Sequence, residues 1–207
     1  MSQPSTTTAP TSQTPTMPGD PRPAYAAATS WMIDLLTGIR ADQWDLPTPC
    51  TEFDVRTLAA HIVGTGRRAV ALGAGTDIFA VAPIAEVHDA ATYTDAVAEA
   101  NRLWGDDAKL SAPITVPWGI VPGAGALWGY VNETLVHGWD LAVSTGQAPE
   151  RETDYAAQVL PVVQQFITAD IRADEGVPFG PVVTPRADAG PTERLANWSG
   201  RSSDGWV

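Results

Sequence analysis

Glu133 and His137 stand four residues apart in the stretch Val131-Asn132-Glu133-Thr134-Leu135-Val136-His137-Gly138-Trp139-Asp140-Leu141-Ala142. On a helix that spacing raises both side chains from one face, a single turn apart. A carboxylate oxygen and an imidazole nitrogen set that way can reach one divalent ion. Val131, Leu135, Val136 and Leu141 flank the pair, so the helix buries much of its surface, and ionisable groups buried with it need a partner or a metal. Acidic residues are common in this chain, 24 of 207, so the pair needs a further ligand from elsewhere. His61 is the candidate, because it follows Leu58 by three and precedes Ile62 by one, at or near the apolar face of its own helix. Two readings stand for it: a core histidine satisfied by a hydrogen bond, and a third ligand. Asp140, three after His137, lies on nearly the same face in the last turns of the helix, where the macrodipole disfavours an acid. Accepting a hydrogen bond from a metal-bound imidazole would offset that, and so would pairing with an arginine.

The elements that must position these residues read as helices. Tyr25, Ala28, Trp31, Met32, Leu35, Leu36 and Ile39 recur at helical spacing and predict a first helix over 24–40. After the proline-stiffened loop Trp44–Thr51, Thr51 is the expected N-cap of a second helix over 52–70, with Val55, Leu58, Ala59, Ile62 and Val63 inward. Residues 72–90 read as a loop, on which His88 is a surface residue and not a ligand. A third helix, capped by Thr92 or Thr94, ends at Trp104, and the prolines of 105–123 predict an extended connector. The central helix covers 124–144 and stops at Thr145-Gly146. A fifth covers 153–172, kinked or split by Pro161, and a short one covers 191–198. No segment alternates as a strand. The expected fold is all-α: a four-helix bundle with extra short helices over 23–201, preceded by a disordered Ser/Thr/Pro-rich tail over 1–22 and followed by a short tail over 202–207. In an up-down bundle the second and central helices can face each other, so His61 can meet Glu133 and His137. Two histidines and one carboxylate suit Zn²⁺ or a similar divalent ion with positions left open, the catalytic rather than the structural arrangement.

Composition removes several function classes. Twelve basic residues against 24 acidic ones give a net charge of −12, which argues against nucleic acid and against anionic membrane surfaces as partners. No apolar run reaches the length of a membrane span, and the N-terminus has neither a basic start nor an apolar stretch, so a cytoplasmic location is expected. Lys109 is the one lysine, and abundant Ala, Gly and Pro suggest a high-GC genome. Cys50 is the one cysteine, so neither an intrachain disulfide nor a Cys-x-x-Cys metal site can form. Near a helix N-terminus its thiol would be reactive; a small buried residue in a proline-rich corner is the favoured reading.

The motifs carry a family resemblance. The order W-x-x-P-T-P-C … V-x-x-L-x-x-H from Trp44 to His61, followed by E-x-x-x-H-G-W-D-L-A-x-x-T-G from Glu133 to Gly146, resembles the DinB-like superfamily. More closely, it is similar to the metal-binding domain of mycothiol-dependent maleylpyruvate isomerases and their actinobacterial relatives. The ending PFGP…ADAGPTERLANWSGR, from Pro178 to Arg201, is similar to one uncharacterised subgroup of these, and the resemblance spans 24–201. It implies a four-helix bundle holding a divalent metal, usually zinc, through one histidine of the second helix and an E-x-x-x-H of a later one. Those positions match His61, Glu133 and His137, which makes His61 a ligand.

The isomerase carries a further C-terminal domain that helps bind substrate, and this chain is too short for one, so maleylpyruvate isomerisation itself is not expected. What the resemblance implies is an enzyme that activates a mycothiol-type thiol as thiolate for transfer to, or isomerisation of, a small electrophile. Asp140 would support a ligand, Trp128 and Trp139 would be pocket walls or core, and Arg67 or Arg68 would meet an acidic substrate group or face solvent. The alternatives are a hydrolase using metal-bound water, for which no H-E-x-x-H supplies a base, and a non-catalytic metal sensor or scaffold. An exposed bundle face could also pair two copies as a homodimer.

Overall fold

The first helix, α1 (Arg22–Thr37), starts where Asp20 accepts the backbone N–H of Arg22 at 2.9 Å and Pro21 and Pro23 supply the fixed φ of a first turn. The computed structural model describes residues 19–116, 119–173 and 179–207, so the expected tail lies, up to residue 18, outside the described residues. Helix α2 (Val55–Ala74) begins three residues later than expected. Thr48 Oγ1 donates to the carbonyls of Cys50 and Phe53 at 3.0 and 2.7 Å, which folds Thr51 into a turn. Asp54 becomes the cap instead and accepts from Thr57 N at 2.7 Å. A single 3₁₀ turn, Ile78–Ala80, precedes α3 (Ala90–Trp104), whose cap is Asp89 rather than a threonine: its carboxylate accepts from both the backbone N and the hydroxyl of Thr92.

The expected extended connector is more ordered than its prolines suggested. It holds a short helix, α4 (Asp107–Ser111), and an antiparallel hairpin of β1 (Pro113–Val116) and β2 (Gly119–Pro122), with Ile114 opposite Val121. Four-residue strands are too short to show alternation, and Pro113 faces Pro122 at the open end of the ladder, where a missing N–H loses little. Helix α5 (Gly123–Thr145) ends at Gly146 as expected. Helix α6 (Thr153–Phe166) runs through Pro161 and breaks only before α7 (Ala169–Arg172), which Thr168 caps. Pro161 is exposed, and so is Ala157, whose carbonyl loses its helical donor and faces water. Helix α8 (Pro191–Trp198) matches its expected span, with its first turn held by Glu150, which accepts from Thr192 N and Glu193 N.

The fold is all-α apart from that one hairpin. Helix α5 is the axis, packed by α1, α2, α6 and α8, while α3 pairs with α2 and touches α1. Trp31, Leu58, Ile62, Trp104, Leu127 and Leu135 fill the space between them. Gly138 lets α1 and α5 approach closely: a Cβ there would stand 2.5 Å from the Trp31 ring. Among the described residues no helix is long and apolar enough to cross a membrane.

Candidate metal centre

Helices α2 and α5 bring His61, Glu133 and His137 together. His61 Nε2 lies 2.9 Å from Glu133 Oε1 and His137 Nε2 lies 3.4 Å from the same oxygen, with the two rings edge-on at 5.1 Å between centroids. One donor atom from each residue falls within 4.8 Å of the other two. Each imidazole is oriented from behind. His61 Nδ1 is 3.0 Å from the Pro83 carbonyl, and a carbonyl only accepts, so the nitrogen there carries hydrogen. His137 Nδ1 is 2.9 Å from Asp140 Oδ2 and is held in the same tautomer. Both Nε2 atoms are therefore turned to the carboxylate, able to offer a lone pair to a cation or to take a second proton.

The charge balance follows from that geometry. Burial opposes a charged His137, yet the Glu133 carboxylate and the hydrogen bond to Asp140 push its pKa up to about 9. Burial by itself would raise the Glu133 carboxyl, but the two imidazoles hold it well below the usual carboxylate range. The cluster is built to hold positive charge between its donors, and two imidazole nitrogens with one carboxylate oxygen are a donor set suited to a divalent ion of the Zn²⁺ type.

Two supports of this centre have little or no sequence signal. Pro83 reaches His61 because residues 81–85 lie across α2: Ala85 N–H donates to Ala60 O at 3.0 Å, and a Cβ on Gly64 would stand 2.5 Å from Pro83 O. Arg201 is the second. Its Nε lies 3.1 and 3.3 Å from the two oxygens of Asp140, which is fully buried. Asp140 therefore accepts from the His137 imidazole and pairs with an arginine at once. The need for a cation beside Asp140 was legible; that it comes from beyond α8 was not. Arg201 is returned to α5 by its own N–H to Ala196 O, and by Asn197, whose amide donates to Arg201 O and to the buried Ser203.

The remaining candidates separate cleanly. Cys50 forms a second close group with His137 and Asp140, but those two are already engaged with each other and with Arg201. Burial, opposed by Arg201 and aided by the weaker pull of the nearby carboxylates, pushes the Cys50 thiol up to about 11, so it stays protonated at neutral pH. Because α2 starts at Val55, Cys50 is also clear of the helix N-terminus. His88 packs on the Trp44 ring at 4.8 Å between centroids and belongs to neither donor group. Trp139 is core, whereas Trp128 lines a cleft of about 320 Å³ that also exposes His61 and Glu133. Arg67 faces solvent and Arg68 lines the cleft.

The sequence model described as "Mycothiol maleylpyruvate isomerase N-terminal domain" matches residues 25–142, a span that includes His61, Glu133, His137 and Asp140 but not Arg201 or α6. Two proteins of Mycobacterium tuberculosis, from strains CDC 1551 / Oshkosh and ATCC 25618 / H37Rv and both titled uncharacterized, are each 30% identical to the chain over 183 residues. That alignment covers 88% of this chain and 98% of theirs. No solved structure matches. With its helical bundle and the family match running through the donor residues, the chain belongs to the mycothiol maleylpyruvate isomerase N-terminal domain family, the mycothiol-related, metal-binding branch of DinB-like folds.

Proposed function

We propose that this protein is a metal-dependent enzyme that activates a low-molecular-weight thiol of the mycothiol type for transfer to, or isomerisation of, a small electrophilic substrate. The observation that carries the reading is the convergence of two imidazole Nε2 atoms on one carboxylate at the wall of a cleft. His61, Glu133 and His137 would hold the ion, Zn²⁺ by the chemistry of the donors. A bound ion supplies the positive charge that lowers the pKa of a coordinating thiol and keeps it as thiolate at neutral pH. Pro83 and Asp140 hold both imidazoles in the tautomer whose Nε2 would be free to bind the ion, and Arg201 fixes Asp140 in turn. The apolar cleft walls reduce the water that would compete with the thiol for the electrophile. A cytoplasmic location belongs to the same reading, since thiols of this kind remain reduced there.

Hydrolysis by metal-bound water has less support. Glu133 is the one carboxylate lining the cleft among the described residues, and both histidines engage it, so no second carboxylate stands ready to take a proton from water. A sensor or scaffold would have no use for a cleft that reaches two of the three donors. The test is elemental analysis of purified protein with His61→Ala and His137→Ala variants, followed by turnover of electrophiles with and without thiol. About one ion per chain, lost in both variants, and consumption of electrophile only when thiol is present are expected. Absence of metal after it is supplied would end the proposal; undiminished turnover without thiol would turn it into hydrolysis.

A further inference from the structure

Arg68 is the one lysine or arginine lining the cleft among the described residues. It follows His61 by seven residues, two turns of α2, which sets the two about 10 Å apart along the helix axis. Thr65 occupies the same wall between them. Most arginines of this chain are matched to carboxylates, among them Arg22, Arg56, Arg102, Arg151, Arg186 and Arg201. Arg68 makes no ion pair among the described residues. Its Nε–H donates to the Val81 carbonyl at 3.1 Å, and among the described residues the forked end of the guanidinium has no acceptor. In a chain of net charge −12, a half-buried guanidinium on an apolar wall, paired to no carboxylate among the described residues, is a placement that a bound anion would offset.

Helix α5 contributes two buried polar side chains to the lining. Trp128 and Asn132 are four apart on α5 and both line the cleft. Trp128 is 1% exposed and Asn132 5%, and neither the indole Nε1 nor the amide Oδ1 finds a partner. Buried polar atoms are nearly always satisfied, and both of these are closed to solvent, so an enclosed water suits them better than a ligand in the cleft. Apart from Tyr130, the rest of the lining is apolar, including Ile78, Val116, Val121, Val162, Phe166 and Phe179.

We propose that the cleft takes an amphipathic monoanion: an apolar aliphatic or aryl body about 10 Å long, with a carboxylate or similar head paired to Arg68 and its other end reaching the His61–Glu133–His137 donors. A compact dicarboxylate fits poorly, because its second charge would lie against apolar walls or against Glu133. The role of the far end as the reacting end rests on the metal-dependent reading above; the binding of the anion does not.

The test is calorimetric titration of the full chain, zinc-loaded and metal-free, with octanoate, octan-1-ol and maleate, using wild type, Arg68→Gln and Arg68→Lys. Metal content is measured on every sample. Gln retains an N–H for Val81, and its loss of charge is the variable. Octanoate should bind wild type more tightly than either octanol or maleate. Arg68→Gln should weaken octanoate by about tenfold and leave octanol unchanged, with part of the loss restored in Arg68→Lys, in both metal states. Three results would overturn the proposal: maleate preferred over octanoate, octanoate and octanol weakened alike by Arg68→Gln, or no octanoate binding at millimolar concentration. Failure of the two readings is separable. A chain that takes up no metal yet binds octanoate through Arg68 supports the anion site and ends the metal reading. A metal-loaded chain without preference for octanoate ends the anion site and leaves the metal reading standing.

Discussion

His137 is held in its tautomer from one side and in its charge from both. Asp140 accepts from Nδ1 at 2.9 Å, Glu133 lies 3.4 Å from Nε2, and Arg201 balances Asp140 from beyond. Replacing Asp140 by Asn keeps an acceptor of the same shape and removes the charge. The Asp140→Asn variant should therefore bind zinc about 10- to 100-fold more weakly, measured by competition with a chromogenic chelator. In the metal-free protein the His137 pKa should fall from about 9 towards the ordinary histidine value, which NMR titration of the ring reads directly. Unchanged zinc affinity together with an unmoved pKa would show that Asp140 only fills space. Cys50 supplies the contrast. With its thiol pushed up to about 11 by burial, Cys50→Ser should keep metal content and turnover near wild type, and the wild-type thiol should react slowly with iodoacetamide at pH 7. A large loss of turnover in Cys50→Ser would restore the reactive reading.

At the scale of elements, the site depends on how closely residues 81–85 press on α2. Glycine inside a helix is ordinarily a weakness, and Gly→Ala there stabilises by up to about 1 kcal/mol. Gly64 should behave in the opposite sense, because the added Cβ meets the backbone of Pro83 at 2.5 Å. Gly64→Ala is expected to destabilise by about 1 to 3 kcal/mol in urea unfolding, and to weaken zinc binding as Pro83 O leaves His61 Nδ1. A gain in stability would mean that the segment yields freely and does not position His61. The same contacts explain what could be read from the chain. Apolar periodicity located every long helix, and the E-x-x-x-H of α5 with His61 of α2 gave the three donors, helped by the family motifs. Cap identity was missed at α2 and α3 because Asp54 and Asp89 compete with nearby threonines, and only the fold of the preceding loop decides which is free. Pro161 did not break α6, since its missing bond falls on the solvent side, which periodicity alone does not weigh. Pro83 was illegible because a backbone carbonyl has no side-chain signature, and Arg201 because it lies 61 residues from Asp140.

For the whole molecule, the centre ties α2 to α5, while the C-terminal elements outside the matched span add the α6 wall of the cleft and the Arg201 clamp. An ion held there would link folding to metal occupancy. Without metal, positive charge in the centre is the proton on His137, whose pKa lies at about 9 in the folded chain against 6.5 ordinarily. A folded pKa above the unfolded one contributes stability that is fully present below 6.5 and is lost as pH rises through about 9. The amount at stake is about 3 kcal/mol. Glu133 works in the other direction, its lowered pKa giving stability that is lost only in acid, so it is constant across this window. In the zinc-loaded protein a bound ion would replace the proton: His137 then carries none when folded and almost none when unfolded above 6.5, so at fixed free zinc stability should stay level over the same range. Free ion at about 100 times its Kd would contribute about 2.7 kcal/mol. Urea unfolding of chelator-treated and zinc-loaded protein at several pH values between 6.5 and 9 should thus give one curve that falls and one that stays level. Parallel curves would mean that the ion, if bound, sits away from His137, and that the three donors meet for structural reasons alone.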